Sequence, residues 1–169
     1  MRNVHVSLGL PGTDAASAFR RVKDFARYPE LVPVVRAVTV RETGESEETS
    51  DWEVYFRNGI LRWTERDLFS PDTGVIAFAQ LDGDFETFSG TWRVEADGPT
   101  ASRVDFDADF DFGIPSLAGI LDPVAERVFK ETIARVVTGL FGEAVVLGDE
   151  ALTRALALAP APVAVSAVA

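Results

Sequence analysis

The chain contains no cysteine and a single histidine, His5. The absence of cysteine excludes disulfides, thiolate metal ligands and a cysteine nucleophile. His5 lies near the N-terminus and nothing in the sequence places it beside a nucleophile, so no Ser-His-Asp triad is indicated. Two common signatures of nucleotide binding, the Gly-x-Gly-x-x-Gly motif and the P-loop, are also missing. We therefore expect no metal and no other cofactor.

Positive charge and long apolar runs are scarce as well. Lys and Arg total 16 against 27 Asp and Glu, which gives a net charge of −11 and an isoelectric point near 4.5. Such a surface repels phosphate backbones, so we expect no nucleic-acid partner. The chain has no run of about 18 apolar residues that could span a membrane, and Met1–Leu10 lacks the apolar core of a signal peptide. With the missing cysteines, these features favour a cytoplasmic protein.

What the sequence does contain is a clear strand pattern at residues 104–112. The apolar positions are Val104, Phe106, Ala108, Phe110 and Phe112, and the four residues between them are all Asp. Strict alternation predicts a strand with one face on a core and one in water, as in antiparallel sheets. We interpret the four Asp as a solvated face and not a cation site, because their spacing spreads them along the strand and no His or Cys supports them.

Other segments complete the predicted order β-α-α-β-β-β-β-β-β-α, which indicates an α+β fold. Thr13 is the predicted N-cap of the first helix. We expect that helix to end near Arg27, because Tyr28 precedes a proline and is pushed away from helical torsions. Residues 42–50 are polar and predict a loop. The dipeptide Asn58-Gly59 predicts a two-residue hairpin turn.

The end of the chain sets the predicted domain boundary. Asp122-Pro123 predicts the start of a long helix, with an N-cap followed by proline at the first helical position. Apolar residues then recur at helical spacing to at least Phe141. From Ala155 the chain is almost entirely Ala, Leu, Pro and Val. The length suggests one domain, which we assign to residues 1–147, and we expect residues 148–169 to be a flexible tail.

This order and several short motifs resemble the START-like, or helix-grip, superfamily of polyketide cyclase/dehydrase-like proteins. The motifs are Tyr28-Pro29-Glu30 with Pro33, Leu81-Asp82-Gly83 with Phe85, Gly90 with Trp92, residues 104–112, and Arg127-Val128-Phe129-Lys130-Glu131. The resemblance covers about residues 4–141. It implies a curved seven-stranded antiparallel sheet that wraps a long C-terminal helix and leaves an internal apolar cavity. The local motifs are most similar to the coenzyme Q-binding branch, which includes a bacterial ribosome-association toxin.

Trp63, Arg66 and the following Asp67-Leu68 resemble a motif of a second branch, the bacterial aromatase/cyclases. An inward arginine in that branch orients the poly-β-ketone or its enol, and the resemblance assigns this role to Arg66. A two-residue turn at Asn58-Gly59 argues against it, because alternation from that turn gives one apolar face and places Arg66 on the opposite face unless a β-bulge intervenes. The apolar face consists of Trp52, Val54, Phe56, Leu61 and Trp63. The histidine that some members use corresponds to Ala108, so that part of the machinery is missing.

Two further side chains are candidates for proton transfer. The same turn places Glu65, and with it Asp67, on the face of Trp63, where burial would raise the pKa of a carboxyl and suit it to acid-base work. A position at the sheet rim, in solvent, is the alternative for both. Tyr55 could donate its phenol to a carbonyl. The candidate catalytic residues are therefore Arg66, Glu65 and Tyr55.

A larger set of bulky or inward-facing side chains forms either an ordinary core or the wall of a cavity, and composition cannot separate the two. The set is Trp52, Phe56, Trp63, Phe78, Gln80, Phe88, Trp92, Phe106, Phe110, Phe129, Thr132 and Ile133. Only the resemblance favours the cavity. Aromatic walls suit polycyclic, quinone or prenyl ligands.

Two functions from different classes stay open. The first, which we favour, is a cofactor-independent cyclase/aromatase or dehydratase that acts on a polyketide-type intermediate, with an acyl carrier protein as a candidate partner. The second is a non-catalytic carrier or chaperone for a polyprenyl quinone or another lipid. Polar chemistry inside the cavity separates them. The sequence leaves monomer and homodimer open.

Overall fold

The computed structural model describes residues 1–41, 43–56, 59–113 and 118–158. Within these ranges the strands are β1 Arg2–Leu10, β2 Val35–Arg41, β3 Glu47–Phe56, β4 Gly59–Ser70, β5 Val75–Gly83, β6 Thr87–Ala96, β7 Ser102–Asp111 and β8 Val145–Val146. The helices are α1 Ala15–Lys23, α2 Tyr28–Leu31, α3 Ala118–Phe141 and α4 Glu150–Leu158, with a 3₁₀ turn at Phe25–Arg27.

The eight strands form one antiparallel sheet in the order β2-β3-β4-β5-β6-β7-β1-β8. Neighbours along the chain pair with each other from β2 to β7, and β1 closes the series by pairing with β7 from Arg2↔Phe110 to Leu10↔Ser102. The short β8 adds to the outer edge of β1. The predicted α+β helix-grip architecture is therefore confirmed, with seven long strands and one two-residue extension.

The alternation in β7 has the predicted structural effect. Val104, Phe106, Ala108 and Phe110 are all buried. The inner face of the sheet lies against α3, whose Phe129 ring is 4.9 Å from that of Phe110 in an edge-to-face contact. Aromatic side chains from both layers therefore build the core.

The first helical segment differs from the sequence prediction at both ends. Asp14, not Thr13, caps α1, and its carboxylate accepts from Ser17 N at 3.1 Å. The helix ends at Lys23 and not near Arg27. Tyr28 adopts helical torsions (φ −55°, ψ −43°) despite the proline that follows. Its buried hydroxyl donates to Val22 O at 2.6 Å, and this contact with its burial outweighs the local steric preference.

The hairpin and the long helix also depart from their predicted bounds. β3 already begins at Glu47, inside the predicted loop. Phe56 pairs with Gly59, so the second residue of the predicted turn already belongs to β4. Its first residue, Asn58, lies outside the described residues. The helix α3 begins at Ala118 and contains Pro123 in its interior, so the predicted start at Asp122 is wrong. A proline near the beginning of a helix removes only one intrahelical hydrogen bond, which packing can offset.

The segment after α3 contains two short elements, β8 and α4. Gly142 takes a positive φ of 76° and ends the helix. β8 pairs with β1, and α4 follows with Leu152 buried and the Lys130 ammonium 3.4 Å from the Asp149 carboxylate. Residues 150–158 therefore form a helix that is packed at Leu152, and residues 159–169 lie outside the described residues. The assignment of residues 148–169 as a flexible tail stays a prediction. The Ala- and Leu-rich composition of α4 does not by itself indicate a docking face.

Candidate functional site

A cavity lies between the inner face of the sheet and α3. Its wall is formed by Val4, Tyr28, Val35, Trp52, Val54, Leu61, Trp63, Glu65, Phe78, Phe88, Trp92, Phe106, Phe129, Thr132, Ile133 and Val136. Its volume is about 70 Å³. A water molecule needs about 10–15 Å³ on the same measure. In this conformation the cavity therefore has room for a few waters, and a larger ligand requires wall side chains to turn aside.

Stacked aromatic rings make up much of the wall. Trp52 and Trp63 lie parallel with ring centroids 5.8 Å apart. Phe78 and Phe106 stack at 5.7 Å, and the Trp92 ring meets Phe106 edge-on at 4.8 Å. Flat apolar surfaces of this kind suit planar or polyunsaturated ligands, because offset and edge contacts with rings are favourable.

Most of the predicted wall residues do line the cavity: Trp52, Trp63, Phe78, Phe88, Trp92, Phe106, Phe129, Thr132 and Ile133. Three do not. The Phe56 ring packs on Phe129 at 5.5 Å, outside the wall. Phe110 is fully buried behind Phe129. The Gln80 amide instead holds the β5–β6 turn, since its Nε2 donates to Phe85 O at 2.9 Å and its Oε1 accepts from Phe85 N at 3.3 Å.

The sequence prediction missed several lining residues: Val4, Tyr28, Val35, Val54, Leu61 and Val136. Alternation along the hairpin strands places Val54 and Leu61 on the same face as Trp52, so the sequence pattern could have identified these two as lining residues. Tyr28 had no such signal. It reaches the wall because the α2 turn brings its ring to 5.5 Å from Trp52, edge-on.

Glu65 is the acidic group of the wall. Its side chain is 4% exposed. The carboxylate Oε1 accepts from Trp63 Nε1 at 2.6 Å. Burial is the main cause that raises the pKa of Glu65 well above its ordinary value, and the neighbouring Asp67 raises it further. A buried carboxyl with a raised pKa is suited to act as a general acid.

Asp67 lies two residues along the same face of β4 and is 0% exposed. Its Oδ2 accepts from Ser50 Oγ at 2.6 Å, and Ser50 Oγ in turn accepts from Trp52 Nε1 at 2.8 Å. Burial raises the pKa of Asp67, whereas hydrogen bonds from Glu65 and Ser50 lower it. The sequence prediction did not select Asp67 as a site residue, although alternation placed it beside Glu65.

Glu48 is a third inward carboxyl, and β3–β4 pairing places it opposite Asp67. It is 8% exposed. Burial raises its pKa to about 7, the charge of Asp67 adds to this effect, and the Lys23 ammonium opposes it. The inner faces of β3 and β4 therefore carry three carboxyls in an otherwise apolar interior.

Arg66 lies on the other side of the sheet. Its side chain is exposed and borders an outer groove together with Glu47 and Thr49. The register of β3 with β4 is uninterrupted, so alternation holds through Arg66. The one irregularity, between Thr64 and Glu65 in the pairing with β5, places the extra residue in β5 and leaves Arg66 outward. The expectation that Arg66 reaches the cavity is wrong.

Tyr55 also faces away from the cavity. It is half-buried on the outer face of β3, where its hydroxyl is a hydrogen-bond neighbour of Arg36. Arg36 also bonds Glu53. Tyr55 alternates with Val54, which does line the cavity, so the two side chains point to opposite faces. Of the three candidate catalytic residues, only Glu65 is on the wall.

The outer face of the sheet carries one cluster that the sequence did not suggest. His5 Nδ1 lies 3.2 Å from Asp107 Oδ2, and His5 Nε2 lies 3.1 Å from Ser7 Oγ. Ser7 donates its own proton to Asp105, so it is not held as a nucleophile for His5. His5 and Asp107 are also half-exposed. Among the described residues no group of three or more His, Cys, Asp or Glu is arranged to hold a metal ion.

Sequence comparison agrees with this architecture. Residues 12–137 match the family described as polyketide cyclase/dehydrase and lipid transport. The chain belongs to this family. Its membership confirms the predicted START-like resemblance, and the matched range contains the whole of strands β2–β7 and the part of α3 that faces the cavity.

Solved structures share the family fold. A protein of Thermus thermophilus superposes with a TM-score of 0.77 at 20% identity, over 83% of this chain and 95% of that one. The ZhuI aromatase/cyclase of Streptomyces sp. R1128 superposes with a TM-score of 0.74 at 22% identity, over 83% of this chain and 92% of that one. A START superfamily protein of Mycobacterium smegmatis superposes with a TM-score of 0.70 at 17% identity, over 83% of this chain and 94% of that one. At these identities the likeness concerns the fold.

Curated relatives carry a different name. The ribosome association toxin RatA of Pseudomonas aeruginosa is 29% identical over 110 residues, which cover 65% of this chain and 76% of the toxin. RatA of Vibrio cholerae is 25% identical over 123 residues, or 73% and 82% of the two chains. The proteins that are similar to this chain therefore include some named as cyclases and some named as toxins. No helix among the described residues is long and apolar enough to cross a membrane.

Proposed function

We propose that this protein binds a hydrophobic, carbonyl-bearing ligand of polyketide type and promotes its cyclisation or dehydration by acid-base assistance. The observation that carries the proposal is Glu65, a buried carboxyl on the wall of an apolar cavity. Tyr28 is the other ionisable group of the wall, and its hydroxyl is already committed to Val22 O. Burial also raises the pKa of Tyr28 well above its ordinary value. Glu65 is therefore the group that can exchange a proton with a ligand.

A dehydration illustrates how Glu65 would work. The protonated carboxyl gives its proton to the hydroxyl of a β-hydroxy ketone, and the hydroxyl leaves as water. The resulting carboxylate takes the proton from the carbon next to the carbonyl, so Glu65 is restored when the double bond forms. The aromatic wall holds the chain in a folded conformation and excludes bulk water, which brings the reacting carbons together.

The test is turnover of a poly-β-ketone delivered by a reconstituted polyketide synthase on its acyl carrier protein. We expect the wild-type protein to change the ratio of cyclised and dehydrated products relative to the synthase alone. Glu65→Gln should reduce this effect by about 10²–10⁴-fold, the usual contribution of a general acid or base. Arg66→Ala is the matched control, since Arg66 is the next residue but lies outside the cavity, and it should behave as wild type. An unchanged product ratio with the wild-type protein would refute the enzymatic function.

A carrier for a lipid or quinone is the second candidate. The observation that favours it is the wall itself, which is apolar apart from Glu65, Tyr28 and Thr132, with Glu65 already bonded to Trp63. Native mass spectrometry with solvent extraction of the purified protein tests it. A co-purifying quinone or lipid at one per chain, together with no effect on poly-β-ketone products, would support the carrier over the enzyme.

The names of the curated relatives suggest ribosome association, which we do not propose for this chain. A net charge of −11 opposes contact with ribosomal RNA, because like charges repel and no basic excess is available to neutralise phosphates.

A further inference from the structure

The acid-base function proposed for Glu65 uses one of two carboxyls that lie next to each other. Glu65 and Asp67 follow each other on the inner face of β4, and their carboxyls are hydrogen-bond neighbours. Both are buried. Two carboxylates in contact at low dielectric cannot both ionise, so the pair holds one proton.

The hydrogen bonds around the pair are the basis for assigning that proton to one of the two carboxyls. Asp67 Oδ2 accepts from Ser50, which is itself held by Trp52, and this chain of donors favours the charged form of Asp67. Asp67 Oδ1 is buried and accepts from no serine, tryptophan or backbone donor among the described residues. Glu65 receives one donor, Trp63, at Oε1, which leaves its other oxygen to carry a proton toward Asp67.

We propose that Asp67 is a positioning residue that accepts a hydrogen bond from protonated Glu65 and so keeps the proton of the pair on the carboxyl that lines the cavity. The inference rests on the proposed function, because only a ligand beside Glu65 gives this proton a use. It adds a second functional residue, one that does not touch the ligand. Trp52 and Ser50 become the supports that keep Asp67 charged and correctly oriented.

Other charged groups face the pair from the elements packed around it. Glu48, on β3, acts on Glu65, and Tyr28, on α2, interacts with the charges of both carboxyls. Asp24, after α1, acts on Glu48 and Tyr28. Lys23 is the basic group on this side, and it acts on Glu48 and lies over the Phe69 ring at 4.8 Å. The acidic groups disfavour a second negative charge, so they add to the retention of the proton on Glu65.

A spectroscopic test needs no ligand. Infrared difference spectra over a pH series would follow the carbonyl band of protonated carboxyls, in a Glu48→Gln background because Glu48 itself titrates near neutral pH. We expect a protonated band at pH 7 that is absent in Glu65→Gln. With Asp67→Asn the band should persist at low pH but vanish at a lower pH than in the parent, since the negative neighbour is gone while the amide oxygen still accepts from Ser50.

Asp82→Asn is the matched control, because Asp82 is an exposed acid on β5 and the change should leave the band as in the parent. Thermal unfolding of each variant shows whether the fold is kept. A band that titrates at the same pH in Asp67→Asn and in the parent would overturn the positioning role. A pH 7 band that survives Glu65→Gln would place the proton on Asp67 and would overturn it as well.

Turnover separates this inference from the proposed function. If Glu65 acts as an acid, the rate falls as pH rises through the pKa of Glu65, and Asp67→Asn should move that fall to lower pH with the low-pH rate kept. A uniform loss of rate at every pH would indicate a merely structural role and would contradict the inference. If the protein has no effect on poly-β-ketones, the proposed function fails, and the infrared result still decides whether the pair holds its proton on Glu65.

Discussion

Replacement of Glu48 by glutamine should make the protein more stable at pH 8 but not at pH 4. Glu48 is buried opposite Asp67, and its pKa is raised from 4.5 to about 7. Between these two values the folded protein holds a proton that the unfolded chain has lost. Stability is therefore fully present below pH 4.5, falls as pH rises through the window, and is constant again above pH 7. The glutamine side chain carries no charge and avoids this loss.

The size of the effect follows from the two pKa values. A difference of one unit between the pKa values of the folded and unfolded states corresponds to about 1.4 kcal/mol in the free energy of unfolding. The interval from 4.5 to about 7 therefore corresponds to a loss of about 3 kcal/mol in the free energy of unfolding, if the carboxyl is fully shielded from water. Glu48 lies beside the exposed first residue of β3, where water screens its charge, and we expect about 1–2 kcal/mol.

Urea unfolding between pH 4 and pH 8 measures this difference in free energy of unfolding. Glu47→Gln is the matched control, because Glu47 is the neighbouring glutamate on the same strand but is exposed. The difference between Glu48→Gln and wild type should be near zero at pH 4 and should reach its full value at pH 8. Identical pH dependence in the two variants would refute the argument that burial raises the pKa of Glu48.

Two further pairs of substitutions, each a test and its control, probe how the elements around the site are packed. Gly90→Ala should destabilise the fold by about 3 kcal/mol, the upper end for overpacking, because an added Cβ would lie 2.2 Å from Asp107 O. Gly12→Ala, where a Cβ meets nothing within 4 Å, should be close to neutral in the same chemical unfolding assay. Leu152→Ala should cost about 2 kcal/mol if α4 is docked, whereas Leu158→Ala, at a position 84% exposed, should change stability by less than about 0.5 kcal/mol. Equal effects within either pair would contradict the packing described.

Alternation explains why the sheet could be predicted well. The period of two is a strong signal wherever one face is apolar, and it predicts that Trp52, Trp63 and Glu65 face inward and Arg66 outward. The observed register of β3 with β4 differs from an Asn58-Gly59 turn by an even number of residues, so the faces are unchanged. The motif resemblance alone placed Arg66 in the cavity, and the alternation proved the better guide.

Local signals failed where tertiary contacts decide. The proline after Tyr28 argued against helix, yet the buried hydroxyl and ring contacts of Tyr28 hold it in a helical turn. Asp122-Pro123 had the form of a helix start, but α3 begins earlier. Whether Phe88 lines a cavity or fills a core depends on gaps between side chains, which composition does not encode.

The position of the carboxyls, more than the size of the cavity, indicates where chemistry can occur. Burial of a carboxyl in an apolar interior is unfavourable, and an ordinary core would hold apolar side chains at positions 65 and 67. Here both carboxyls are supported by aligned donors from Trp63 and Ser50, so the arrangement is a specific polar network and not an isolated defect. On β7, by contrast, Ala108 is buried and carries no group that could transfer a proton. Under the proposed function, proton transfer therefore takes place on the β3–β4 side of the cavity, where Glu65 lies on the wall.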